Sequence, residues 1–314
     1  MQHKLIGGLL GAAIVLTNGT ALAANPAGCK SVHFSDVGWT DITATTAATS
    51  VVLEGLGYEP KASVLSVPVT YASLKNNDID IFLGNWMPTM EADIAPYRED
   101  GSVDTVSRNL VGAKYTLAAN KIAADLGVSD FVDIAKIRDQ LDGKIYGIEP
   151  GNDGNRLIQD MFDKDAFGLK GFEVVESSEQ GMLAQVARAN RRKEPVVFLG
   201  WEPHPMNANF ELTYLSGGDD FFGPNFGGAE VYTNTRAGYV AECGNVGTLL
   251  NNLEFSLAME NEIMGAILDD GEDPNKAAAA WLKKNSGVLD KWLTGVTTLS
   301  GEDGMAAVKS HLGL

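Results

Sequence analysis

Twice along this chain an apolar run rises into a tryptophan and stops at a proline. Ile79 to Leu83, apolar but for Asp80, leads into Gly84-Asn85-Trp86-Met87-Pro88, and Val196 to Leu199 leads into Gly200-Trp201-Glu202-Pro203. Short apolar runs bounded by Gly and Pro read as buried strands. Gly lets the backbone turn sharply and Pro ends the ladder. Each run is therefore expected to leave a Trp just past the carboxyl end of a strand. In open α/β sheets that edge is where ligands bind.

Around the first run the pattern alternates. Ser31 to Phe34 reads as a strand, Ile42 to Leu56 as a helix stopped by Gly57, and Lys61 to Val67 as a strand. A short helix from Val69 to Lys75 precedes Ile79 to Leu83. That β-α-β-α-β order predicts a parallel sheet. Lys114 to Ala119 reads as a strand leaving this lobe.

A second unit opens with the strand Lys144 to Ile148 and the turn Glu149-Pro150-Gly151-Asn152-Asp153-Gly154-Asn155, followed by a helix from Arg156 to Phe167. Phe172 to Val175 is a strand, and Glu179 to Arg192 is an amphipathic helix with Met182, Leu183, Val186 and Ala187 on one face. Phe210 to Leu215 is expected to return the chain to the first lobe, Ser216 to Gly228 to form an ordered surface loop, and Ala-rich helices such as Ala277 to Lys284 to fill the C-terminus. The fold class is α/β with two lobes, each a sheet flanked by helices. Residues 24–112 and 213–314 make one discontinuous lobe and 113–212 the other, with crossovers near 111–115 and 207–213. A chain of 314 residues is long enough for both.

Residues 1–23 stand outside that fold. His3 and Lys4 precede an apolar run from Leu5 to Leu16, and Ala21-Leu22-Ala23 supplies a small-x-small cleavage site. This is a secretory signal peptide, too short for a membrane span, and it predicts a soluble periplasmic protein beginning near Ala24. Ala27-Gly28-Cys29 resembles the end of a lipid-attachment box, but Pro26 and the distance from the apolar run argue against lipidation. Cys29 and Cys243 are the two cysteines. An even count in an exported chain favours a disulfide between them, with two free buried thiols as the alternative. The bond would join both halves of the discontinuous lobe.

The formal charge is −17, or −18 without Lys4. Nucleic acid and anionic lipid are poor partners for such a chain, and cationic ligands are favoured.

Trp39, Trp86 and Trp201 all fall near strand ends, and Tyr115 lies in a crossover. Ring faces attract quaternary ammonium ions, which have no N–H to donate. Micromolar capture needs about 8 kcal/mol net, and a desolvated cation–π contact contributes up to about 2, so three or four rings and one carboxylate suffice. Asp41 is the candidate carboxylate, although an Asp there also reads as a helix N-cap. Trp281 and Trp292 sit in helical patterns and are assigned to packing. The turn around Asn152 reads, by sequence alone, as a Gly-rich N-cap turn and lacks the Gly-Lys-Ser/Thr of a phosphate loop.

The motifs Val37-Gly38-Trp39-Thr40-Asp41, Phe82-Leu83-Gly84-Asn85-Trp86-Met87-Pro88, Gly147-Ile148-Glu149-Pro150-Gly151 and Phe198-Leu199-Gly200-Trp201-Glu202-Pro203-His204 carry a resemblance that spans the mature chain. It resembles the substrate-binding proteins of quaternary-amine ABC importers, the glycine betaine and choline group. The resemblance implies a type II-like two-lobed periplasmic binding protein that closes by hinge motion, acts as a monomer and serves a membrane permease of an ABC importer. In choline-binding members, four aromatics box the trimethylammonium head, an aspartate supports its charge and an asparagine meets the hydroxyl. Matched by motif, these are Trp39, Trp86, Tyr115, Trp201, Asp41 and Asn152. Asp41 would repel the carboxylate of betaine, and the ring-bearing turns hold no Arg or Lys, so choline is favoured over betaine. Acetylcholine fits if the hydroxyl end has room.

Enzyme chemistry finds little support. His33, His204 and His311 are far apart, and no metal-ligand spacing, Gly-x-Ser-x-Gly elbow or Cys–His pair is present, so neither metal nor cofactor is expected. The rival from another class is a carbohydrate-active enzyme using Asp41 and Glu202 as its paired carboxylates.

Overall fold

The computed structural model describes residues 26–314. The signal-peptide segment 1–23 lies outside the described residues. The strands are β1 Ser31–Asp36, β2 Glu59–Val64, β3 Ile81–Met87, β4 Val103–Asn120, β5 Lys144–Tyr146, β6 Glu173–Val175, β7 Val197–Glu202, β8 Leu212–Tyr214 and β9 Gly228–Arg236. They run in the order β2-β1-β3-β9-β4-β7-β5-β6, with β8 beside β4.

Two parallel trios sit at the ends of this path. β1 pairs parallel with β2 and β3, and β5 pairs parallel with β6 and β7. Helices pack over the sheet, so Phe34, Ile81, Phe82, Phe198 and Leu199 are fully buried, as the apolar character of parallel strands requires. Between the trios lie two antiparallel strands, β9 and the 18-residue β4. Val103 to Lys114 of β4 pairs with β9, and Lys114 to Ala119 pairs with β7. One strand thus carries the ladder from one α/β unit to the other.

Several expected elements change. The helix Val69–Lys75 spans Val67–Asn76, and the one at Arg156–Phe167 spans Asp153–Asp163. β9 and the first half of β4 were not anticipated. Leu212–Tyr214 pairs with Ala118 to Asn120, and the chain joins the other trio through β9. The expected surface loop over residues 216–228 contains Phe222, which is fully buried against Phe131 and Tyr115.

The two Trp-bearing stretches also differ in one respect. Trp86 and Trp201 lie inside β3 and β7, because neighbouring strands continue the ladder there: Trp86 faces Val231, and Trp201 faces Tyr115. Gly84 does not turn the chain. A Cβ there would lie 2.7 Å from the Ile42 side chain, so the glycine admits the Thr40–Gly55 helix close to the strand. The chain leaves both strands through cis peptides, Met87-Pro88 and Glu202-Pro203.

Cys29 and Cys243 form a disulfide, Cα atoms 5.5 Å apart across 214 residues of sequence. It ties the segment before β1 to the one after β9. By the chain-entropy estimate, closing such a loop contributes up to about 5 kcal/mol. Thermal melts of the Cys29→Ser/Cys243→Ser protein should therefore show a clearly lowered transition, and an unchanged midpoint would remove the staple from the stability account.

Candidate functional site

The Thr40–Gly55 helix begins directly after β1 and presents Trp39 at its N-cap and Asp41 in its first turn. Trp86 enters from β3, Tyr115 from the middle of β4 and Trp201 from β7. Asn152 caps the Asp153–Asp163 helix, its Oδ1 accepting from the Asn155 amide at 3.2 Å. These six side chains, with Ile148, line one cavity of about 260 Å³ of empty space. Its aromatic walls stand close together, with ring centroids 6.0 and 6.3 Å apart, so the occupant is small.

The rings stand as walls. Tyr115 is tilted 63° to Trp86 and 82° to Trp201, with centroids 6.0 and 6.3 Å apart. Phe222 backs Tyr115 edge-on at 5.8 Å. Tyr115 owes its seat to two glycines. A Cβ at Gly154 would lie 2.1 Å from the Tyr115 hydroxyl oxygen, and one at Gly227 would lie 1.9 Å from its carbonyl oxygen.

The outer edges of the rings are held by polar partners. Trp86 Nε1 donates to Asp41 Oδ2 at 3.1 Å, Trp39 Nε1 to Glu149 Oε1 at 2.8 Å, and the Tyr115 hydroxyl to Asn152 Oδ1 at 2.9 Å. Each ring is at most 5% exposed. With the N–H and O–H groups of Trp39, Trp86 and Tyr115 engaged at their edges, the ring faces are left to the cavity.

Asp41 is 1% exposed, and its second oxygen, Oδ1, has no hydrogen-bond partner. Its carboxylate is not the helix cap that the sequence allowed, because Trp39 occupies that position. Burial, and next the charge of Glu179, pushes Asp41 up to about 8. Burial likewise raises Glu149 to about 7 and Asp153 to about 6. Burial and then the Asp41 charge hold Glu260 well above the ordinary carboxylate range. The cavity lining includes no Lys or Arg. Arg156, the nearest cation in sequence to Asn152, is joined to Asp93 at 2.5 Å.

Sequence reasoning missed Glu149, Glu179, Glu260, Ile148 and Phe222. Glu149 lies within a motif already singled out; Glu260, on the Leu257–Leu268 helix more than 200 positions from Asp41, carries no local signal. Glu202 does not join Asp41. It pairs with Lys114 at 3.0 Å and lies outside the cavity lining, so the paired-carboxylate enzyme reading loses its second acid. Trp292 is fully buried against Phe255 and Trp281 bonds Glu262, away from the cavity.

Two α/β units meeting at a small enclosed cavity are the architecture of a two-lobed binding protein. The sequence model described as the substrate binding domain of ABC-type glycine betaine transport systems matches residues 30–284, and the chain belongs to that family. It is 72% identical to an ABC-transporter choline binding protein solved in complex with choline, with a TM-score of 0.91 over 92% of this chain and all of that one. The glycine/betaine/L-proline-binding protein of Borrelia burgdorferi, 21% identical, shares the fold at a TM-score of 0.78 over 89% of this chain and all of that one. An uncharacterized protein, ORF1, of Chromohalobacter salexigens is 55% identical over 129 residues, 41% of this chain and 83% of that protein. The chain is thus an extracytoplasmic substrate-binding protein that works with an ABC permease, not an enzyme. No described helix is long and apolar enough to cross a membrane.

The raised Asp41 has a consequence for stability. Between the unfolded carboxylate value near 4 and the folded value of about 8, the native state holds a proton that the unfolded chain has lost. Stability therefore falls as pH rises through that window. Asp41→Asn removes this loss. Ligand-free Asp41→Asn should melt above the unsubstituted protein at pH 8.5, with the gap closing toward pH 5, as followed by circular dichroism; a lower melting point at pH 8.5 contradicts the assignment.

Proposed function

We propose that the cavity captures choline, with the trimethylammonium group against Trp39, Trp86, Tyr115 and Trp201, Asp41 balancing its charge and Asn152 meeting its hydroxyl. The observation that carries this reading is the unpartnered Asp41 Oδ1 inside a wall of ring faces. A quaternary ammonium offers no hydrogen bond, so an acceptor left without a donor suits it. The solved relative in complex with choline supports the same choice.

Glycine betaine is the second reading, favoured by the family description. Its carboxylate would enter a site with no lining cation and several buried acids, which disfavours it. Acetylcholine needs room beyond Asn152. The protein is read as periplasmic, exported by a signal peptide cleaved near Ala23, and monomeric. Its two closing lobes are residues 24–112 with 213–314, and 113–212, joined through β4 and the return into β9. Cavity walls from both lobes make the ligand a bridge between them.

Isothermal titration tests the substrate. Choline should bind more tightly than glycine betaine or carnitine, and a preference for betaine would overturn the reading. Trp86→Leu and Trp201→Leu each remove one ring face and should weaken choline about thirtyfold, the equivalent of about 2 kcal/mol. Asn152→Ala should cost less, about 1 kcal/mol, and tetramethylammonium should scarcely register it. Wild-type affinity in both Trp variants would place the cage elsewhere.

Acidity supplies a further test. The bound cation favours ionised Asp41, so binding below about pH 8 expels a proton. Affinity should rise from pH 6.5 to 8.5 by about tenfold or more and level off above, with the slope much reduced in Asp41→Asn. A flat profile in the unsubstituted protein would mean that Asp41 is already ionised throughout.

A further inference from the structure

Outside the cavity lining lies a second set of buried polar contacts, between Thr40, Glu179 and His204. The Thr40–Gly55 helix lacks a cap of its own, since Trp39 at the N-cap position has no side-chain acceptor for the first-turn amides. The missing acceptor arrives from the other α/β unit. Glu179, first residue of the Glu179–Arg192 helix, accepts from the Thr40 amide at 2.8 Å through Oε2 and from the Thr40 hydroxyl at 2.7 Å through Oε1. Its carboxylate thus lies between two helix N-termini, where negative charge is favoured.

His204 completes the contact. The Met206 amide donates to His204 Nδ1 at 2.9 Å, so Nδ1 carries no proton and Nε2 is the N–H that donates to Glu179 Oε1 at 3.0 Å. The His204 ring packs against Trp201, centroids 4.9 Å apart at 76°. Glu179 and His204 are each 1% exposed. The sequence neighbour of Thr40 is Trp39. A continuous set of contacts therefore runs from one cage wall, through Thr40, Glu179 and His204, to the opposite wall at Trp201.

We propose that Glu179 is a latch: it caps the Thr40–Gly55 helix across the cleft only when the lobes are closed, and so sets how long the ligand is retained. This rests on the reading of two closing lobes around choline. Opening the cleft separates Thr40 from Glu179 and leaves the first turn of that helix without its acceptor. Neither Thr40 nor Glu179 lines the cavity, so their bond acts on the closed state rather than on the initial encounter with ligand. Because the Glu179 charge also reaches Asp41, Thr40→Val, which leaves that charge in place, isolates the latch. Glu179 and His204 are positioning residues for Trp39 and Trp201.

Stopped-flow tryptophan fluorescence with choline separates the two rates. Glu179→Gln should speed dissociation roughly ten- to a hundredfold, the range for losing hydrogen bonds to a charged group, with association nearly unchanged. Thr40→Val, which keeps the Glu179–His204 bond, should give part of that effect, and the double variant should dissociate no faster than Glu179→Gln. A dissociation rate like that of the unsubstituted protein in both single variants overturns the latch, as does a loss confined to association. Thr40→Val remains a test if Glu179→Gln does not fold. Should the unsubstituted protein fail to bind choline, the substrate reading fails by itself. The latch is then decided with whichever of glycine betaine, the ligand in the family's description, or carnitine binds: faster dissociation in Glu179→Gln and Thr40→Val supports it, and unchanged rates in both overturn it.

Discussion

A buried carboxylate with half its hydrogen-bonding capacity unused is the constraint around which this molecule is arranged. An ionised, unpaired acid in a protein interior costs several kcal/mol after relaxation. Asp41 has two ways out of that cost: it holds a proton, or it faces a cation. Trp86 Nε1 supplies one hydrogen bond, which keeps the carboxylate oriented without neutralising it. Two further buried acids, Glu179 and Glu260, couple to its charge directly. Adding charge to this region is therefore costly, and Asp41 keeps its proton up to about pH 8 until a cation takes its place. A ligand that brings positive charge and no donor relieves this arrangement; one that adds a carboxylate worsens it.

The same constraint explains the walls. An acid kept short of donors needs neighbours that exclude water without pairing with it, and aromatic faces do both. Three of the rings hand their one polar atom to an acceptor at their edge, Trp39 to Glu149, Trp86 to Asp41 and Tyr115 to Asn152. That leaves the π faces, whose quadrupole complements a diffuse cation. Close packing then fixes the ring positions. Gly154 and Gly227 let the chain approach Tyr115 to distances no side chain would permit, and Phe222 fills the space behind.

Much of this was legible in the order of residues, and the parts that were not have physical reasons. The parallel trios announced themselves through apolar runs bounded by Gly and Pro, because buried strands have little polar alternation. Trp86 and Trp201 stood out through such runs, whereas Tyr115, Asp41 and Asn152 were singled out as a set only through the resemblance of their motifs to a known family; all of them, with Trp39, line one cavity. β9 was not seen: Gly228–Arg236 mixes Glu230, Thr233, Asn234 and Thr235 among its apolar positions, and its partners are distant in sequence. Gly84 and Gly200 were read as turns because sequence shows a missing side chain but not which neighbour occupies its place; here it is Ile42 and Ala118. Glu260 and Glu179 reach the site from helices whose sequence proximity to Asp41 is nil. Burial of charge is a tertiary property, and no local pattern reports it.

Dividing the work between cage and surroundings has a kinetic logic. On the proposed reading, ring faces and Asp41 act on any quaternary cation that reaches them and so govern recognition, and recognition alone would hold a ligand only as long as the lobes stay together. Polar contacts cross between the α/β units, Trp39 to Glu149, Thr40 to Glu179 and Arg156 to Asp93; on that reading they add an energy that depends on closure, the last two without regard to ligand identity. The first of these is the most consequential, because the same indole that lines the cavity through its face is fixed by the opposite unit through its edge. A ligand that seats properly against Trp39 leaves the ring where Glu149 can hold it; one that displaces the ring breaks the hydrogen bond and weakens closure with it. In this way a small site with few specific contacts can convert fit at one ring into the stability of the whole closed state.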